Sequence, residues 1–106
     1  MIPWTLTYSP AFTSDLTDIS TYIISQFEDA TSAEKVVLAI KNATSRLVYM
    51  PLRHPFFPEC DDFGYRYVTA GKYVIIFHAH ENTHTVNILR VMHAHQDIAT
   101  VMRQIG

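Results

Sequence analysis

The chain reads as an α+β fold with an N-terminal helical hairpin packed on a small, mainly antiparallel sheet. Three observations predict it. A short alternating segment opens the chain, two runs with helical spacing follow, and the last third alternates in strand fashion around tight turns. The implied order is β-α-α-β-β-β-α, in two layers. At 106 residues, 48% of them hydrophobic and 17% charged, the chain has room for one core without disulfide or metal staples. A single domain over residues 1–106 suffices.

Ile2, Trp4, Leu6 and Tyr8 alternate with Pro3, Thr5 and Thr7, the pattern of a half-buried strand. Ser9 then Pro10 suits a helix cap with proline at the first helical position. Phe12, Leu16, Ile19, Ile23 and Phe27 recur at spacings of three and four, which predicts a first helix to about residue 28. Thr31 with Glu34 three residues later has the form of a capping box. Val36, Val37, Ile40, Ala43, Thr44 and Leu47 form the inner stripe of the second helix. "PLRHPFFPECDDFG" holds three prolines and reads as an irregular loop whose Phe56 and Phe57 plug the core. "GYRYVTAGKYVIIFHAH" and "ENTHTVNILRVMHA" supply three strands, with turns expected at Ala70-Gly71 and Asn82-Thr83. Ile98, Val101, Met102 and Ile105 support a short final helix.

With those turns, Arg66 stands opposite Ile75, and Ile75 opposite Arg90. Side chains alternate faces along a strand, so the two arginines would share one row, with Tyr73 and Met92 on the same face one row away. Val74, Ile76, Leu89 and Val91 would pack under the helices. Two guanidinium groups side by side offer planar, bidentate donors to an anion or carboxylate. The bland alternative pairs each arginine with an acid of its own chain, such as Asp97 or Asp62. A one-residue change of register would send one of them to the other face.

The formal net charge of −2 weighs against a protein held to its target mainly by phosphate contacts. Cys60 is the only cysteine, so no intramolecular disulfide forms, and a lone thiol is more often inert than nucleophilic. No signal peptide or membrane-spanning run is read. The "NAT" at Asn42 falls mid-helix as a chance sequon, and a cytoplasmic protein is expected. Two "HAH" motifs place imidazoles at His78 and His80 and at His93 and His95. The pairs should lie on the order of 20 Å apart, at ~3.3 Å per strand residue. Neither has the further ligands of a standard metal site, so no metal is expected. Imidazole is the side chain suited to proton transfer near physiological pH, and His93 and His95 lie near Lys72. They suit general acid–base work, or His93 ends the strand by bonding a carboxylate such as Asp97.

The combination of strand, helical hairpin, proline-containing loop, "GYR", "KYVIIF" and "ILRVMHAHQDI" resembles the RelE/ParE superfamily of toxins from type II toxin–antitoxin systems. The likeness spans nearly the whole chain. Arg90, Val91, His93 and Asp97 match the pattern of its ParE and plasmid-stabilisation side. The resemblance implies a small bacterial toxin that arrests growth. It needs no cofactor and is neutralised by a cognate antitoxin whose C-terminal segment wraps it, and it reaches DNA only through that antitoxin. ParE-like members inhibit DNA gyrase. Here that implies Arg66, Arg90, Tyr73, Lys72 and Met92 as target or antitoxin contacts. RelE-like members cleave mRNA on the ribosome without a metal. In that case His95 and His93 would be the acid and base, with Arg66 and Arg90 steadying the phosphate. Val68 and Val74 occupy positions that are often basic in those nucleases. The balance favours the ParE reading.

Overall fold

The structure, a computed structural model, describes residues 2–105, with only the backbone of Ile105. Met1 and Gly106 lie outside the described residues, as does the side chain of Ile105 in the predicted final stripe. The order of elements is the predicted one: β1 (Thr5–Tyr8), α1 (Pro10–Phe27), α2 (Ala30–Ser45), β2 (Tyr65–Ala70), β3 (Tyr73–His80), β4 (Thr85–His93) and α3 (Ile98–Ile105). Short 3-10 turns occupy parts of residues 46–63. The strands lie in the order β1-β4-β3-β2, with β1 parallel to β4 and the other pairs antiparallel.

Ser9 caps α1 through its hydroxyl, which accepts from the Phe12 N–H at 3.1 Å and donates to the Leu89 carbonyl at 2.5 Å. One side chain thus ends a helix and ties it to β4. The second cap departs from expectation. Asp29, not Thr31, caps α2, its carboxylate accepting from Thr31 and Ser32. Because α2 starts at Ala30, no Thr31–Glu34 box forms. A carboxylate at the cap complements the positive end of the helix dipole. It also draws the Asp29 pKa below its ordinary value, chiefly through the Ser32 hydroxyl.

The hairpin registers differ from the predicted ones in two ways. The first turn falls at Gly71-Lys72, with Gly71 at φ +59°, where a glycine-led two-residue loop matches the strand twist. Sliding the turn by one residue shifts the pairing by two, so Arg66 faces Phe77. The second turn is a four-residue loop, 81–84, and the predicted pairing holds beside it: His80 faces Thr85 and Phe77 faces Ile88. A bulge then intervenes. Ile76 pairs with Arg90 and Ile75 with Val91, leaving Leu89 as the extra residue. One inserted residue exchanges the faces of everything beyond it.

The packing follows from that exchange. Ile75, Phe77, Val86, Ile88 and Val91 meet Phe12, Ile40, Ala43 and Leu47 in the core beneath the helical hairpin, with Tyr73 packed against it. Val74, Ile76 and Met92 instead join Cys60, Ile98 and Met102 on the other side. The expected inward face of Val74, Ile76, Leu89 and Val91 is therefore wrong except for Val91. Tyr73 and Met92 do not share a face, and the side away from the hairpin is partly covered by α3 and the Cys60 loop. Phe57 packs against that second cluster. Phe56 does not plug the core: it is 46% exposed and lies under the Arg66 guanidinium at 4.0 Å.

Arg90 finds its acid on α1. Its Nε and Nη2 each lie 2.7 Å from the Asp15 carboxylate, which also accepts the Val91 N–H at 3.0 Å. Neither Asp97 nor Asp62 is its partner. The Asp15 hydrogen bond, more than any other influence, raises the Arg90 pKa above its ordinary value. Losing the carboxylate would strand a cation and a buried N–H together. Asp15→Ala is expected to destabilise the fold by about 3 kcal/mol, read by urea denaturation. Adding Arg90→Met should recover about 1 kcal/mol or more. A loss below about 0.5 kcal/mol, the range of ordinary surface changes, would contradict this role.

Candidate functional site

The turn that follows β4 is built around His93. The His93 N–H donates to Gln96 Oε1 at 2.9 Å, and the His95 N–H donates to His93 Nδ1 at 3.2 Å. With Nδ1 accepting, the neutral His93 ring carries its proton on Nε2. The Ala94 N–H reaches the Lys72 carbonyl at 2.8 Å, which joins this turn to the β2–β3 turn. Tyr73 meets His93 edge to face at 5.5 Å, and the His93 and His95 rings stack at 4.9 Å. Asp97 does not bond His93. It accepts from the Thr100 N–H and hydroxyl at 3.3 and 2.7 Å, capping α3.

Two clefts meet at Tyr73. One, of about 470 Å³, is lined by Asp18, Ile19, Tyr22, His93, His95 and Gln96. The other, of about 520 Å³, runs past Phe27, Lys35, Val36 and Lys72. Tyr22 and Phe27 are 61% and 69% exposed, so α1 presents aromatic surface along this groove. Apolar walls with a few polar groups at the rim make a surface for binding more than for solvation.

Of the residues singled out from sequence, His93, His95, Tyr73 and Lys72 come together here. Arg66, Arg90 and Met92 do not. Met92 is buried in the second cluster. Arg66 is held by the Leu52 and His54 carbonyls at 3.2 and 2.6 Å and by the Phe56 ring. Arg90 is held by Asp15. The expected pair of guanidiniums in one row on one face is absent, because the bulge at Leu89 sets their partners, Phe77 and Ile76, on opposite faces.

Sequence reasoning missed Asp15, Asp18, Tyr22 and Gln96. Asp15 carried a signal, being an acid three residues after Phe12 within an apolar stripe. Tyr22 lies four residues after Asp18, so the two share a helix face. Gln96 gave no signal, since its role depends on the turn that it closes. The two histidine pairs also part company. His78 Nδ1 and His80 Nε2 lie 3.0 Å apart in direct contact. Among the described residues no group of three His, Cys, Asp or Glu side chains could hold a metal.

Cys60 is fully buried, and burial pushes its thiol pKa up. A reactive cysteine needs the opposite environment. Among the described residues no helix is long and apolar enough to cross a membrane.

Comparison with known proteins identifies the class to which this fold belongs. Residues 6–98 match the model of the ParE toxin of type II toxin–antitoxin systems, parDE, and the chain belongs to that family. None of the curated proteins matches it. Among solved structures, the chain is similar to one from the chromosomal ParDE toxin–antitoxin system of P. aeruginosa. The TM-score is 0.71 at 17% identity, over 88% of this chain and 98% of that one. It is also similar to a chain of the RelBE2 toxin–antitoxin complex from Mycobacterium tuberculosis. There the TM-score is 0.63 at 23% identity, over 87% and 99%. At such identities the two structures establish the fold alone.

The burial of Cys60 has a direct check. A thiol reagent should modify the folded protein at least about a hundredfold more slowly than the urea-unfolded chain, since reaction then requires opening of the fold. Equal rates would place Cys60 at the surface.

Proposed function

We propose that this type II toxin arrests growth by binding and inhibiting DNA gyrase, and that a cognate antitoxin silences it by wrapping its C-terminal segment around the toxin. The observation that carries the reading is where the arginines are held. An endoribonuclease working through His93 and His95 needs a cation beside them to take up the charge that develops on phosphate in the transition state. Asp15 holds Arg90, and two loop carbonyls with Phe56 hold Arg66. Around the imidazoles lies an apolar and aromatic groove with Asp18 in its wall, while the cations Lys35 and Lys72 line the adjoining cleft. A carboxylate beside the imidazoles opposes a phosphate and suits a protein surface better. The net charge of −2 also removes the long-range attraction that would draw the chain to ribosomal RNA.

On this reading Tyr73 is the central contact, with Lys72 and Lys35 at the rim beside it. Aromatic residues in partly enclosed sites carry much of the affinity of protein interfaces.

Induction without the antitoxin is expected to accumulate cleaved gyrase–DNA complexes and a DNA-damage response, while mRNA ends stay unchanged. Tyr73→Ala should weaken gyrase inhibition by about tenfold or more, a usual cost of truncating a central aromatic contact. Codon-phased mRNA cuts that vanish in a His93→Ala, His95→Ala double variant, with gyrase complexes absent, would overturn the proposal in favour of ribosome-dependent cleavage.

A further inference from the structure

The sequence contains the tripeptide His-Ala-His twice, and the fold treats the two copies differently. At residues 78–80 the motif lies on the regular strand β3, so both side chains project from one face. His78 Nδ1 faces His80 Nε2 at 3.0 Å, with the two rings at 89°. Two ring nitrogens so close cannot both present bare lone pairs, so a proton or a cation must lie between them. At residues 93–95 the chain is leaving β4. There His93 Nδ1 accepts the His95 N–H, and the rings stack within 22° of parallel. Lone pairs lie in the ring plane, so parallel rings aim theirs side by side and not at a common point.

We propose that His78 Nδ1 and His80 Nε2 form a cis-chelating pair for a divalent cation of tetragonal preference, Cu(II) ahead of Ni(II), and that His93 and His95 do not. The separation is compatible with one class of ion. With metal–nitrogen bonds of about 2.0–2.1 Å, two ligands stand about 2.9 Å apart at a right angle and about 3.4 Å apart at the tetrahedral angle. The observed 3.0 Å is the length of a ring N–H···N hydrogen bond and is also close to the right-angled edge, the geometry of Cu(II) and Ni(II) bound by nitrogen and oxygen, and Cu(II) binds the tighter of the two.

His78 is prepared for this role. Its Nε2 lies 3.0 Å from where a Cβ on Gly64 would stand, and its ring meets Tyr65 edge to face at 6.3 Å. That packing restrains the ring, and Gly64, at φ +77°, leaves it room. On binding, the proton between the rings moves through solvent to the other nitrogen of its own ring, so no net proton is released. With no third His, Cys, Asp or Glu in reach among the described residues, water completes the coordination and the affinity is modest.

The test is a Cu(II) titration of the full, untagged chain, followed by calorimetry and electron paramagnetic resonance. One Cu(II) per chain is expected. His80→Ala and His78→Gln should each weaken binding by at least about tenfold. His93→Ala with His95→Ala should leave it within about twofold, as expected where no ligand is lost. His80 is exposed, so its truncation leaves the fold intact, and circular dichroism checks this. Absence of stoichiometric binding overturns the proposal, and so does binding that survives His80→Ala or disappears with the His93 and His95 changes. None of these outcomes bears on gyrase inhibition.

Discussion

Asp15 joins the two halves of the fold. Its carboxylate takes both donors of the Arg90 fork and the N–H of Val91, at the stretch of β4 that runs on past Ile88, the last residue paired with β1. Backbone polar groups along such an uncovered stretch must find partners. Ser9 does the same six residues earlier by holding the Leu89 carbonyl. Helix α1 is thereby fixed against the sheet by side chains from its first two turns, and its apolar stripe follows. The cleft at Tyr73 lies between α1 and the adjoining ends of β3 and β4.

The bulge at Leu89 belongs to the same arrangement. Without it, Arg90 would lie opposite Ile75, whose side chain is in the core beneath the helices. The extra residue takes Arg90 off that face and returns Val91 to the core. Bulges commonly redirect a side chain in this way. Arg90 interrupts an apolar strand because it closes a joint between helix and sheet. Arg66 acts similarly toward the other end of the sheet, where the Leu52 and His54 carbonyls and the Phe56 ring hold it. Both cations fasten irregular or bulged backbone to the sheet. The clefts at Tyr73 are left to aromatic and apolar groups, with Lys35 and Lys72 among their lining.

The histidines show how far one motif can diverge. Identical tripeptides carry identical local preferences, yet one sits on a regular strand and the other in a turn closed by Gln96. Which nitrogen of each ring is available depends on that backbone and on the neighbouring strands. Part of the candidate site was legible nonetheless. His93, His95, Lys72 and Tyr73 are close because a tight turn at Gly71 brings the start of β3 beside the end of β4, and turn chemistry is a local property.

The sequence by itself determined the elements, their order and the family pattern, because apolar periodicity, proline and glycine act over a few residues. It also determined that Cys60 has no partner cysteine and that the chain lacks the overall basic excess of a protein held by phosphate contacts. Only the tertiary structure decided the faces. Strand register is a contact between distant residues, and one inserted residue reverses it without altering any local preference. Asp15 lies 75 residues from Arg90, so nothing near either residue announces the pair. Their meeting follows from the packing of α1 on β4, and with it the commitment of the arginine that most resembled a site residue.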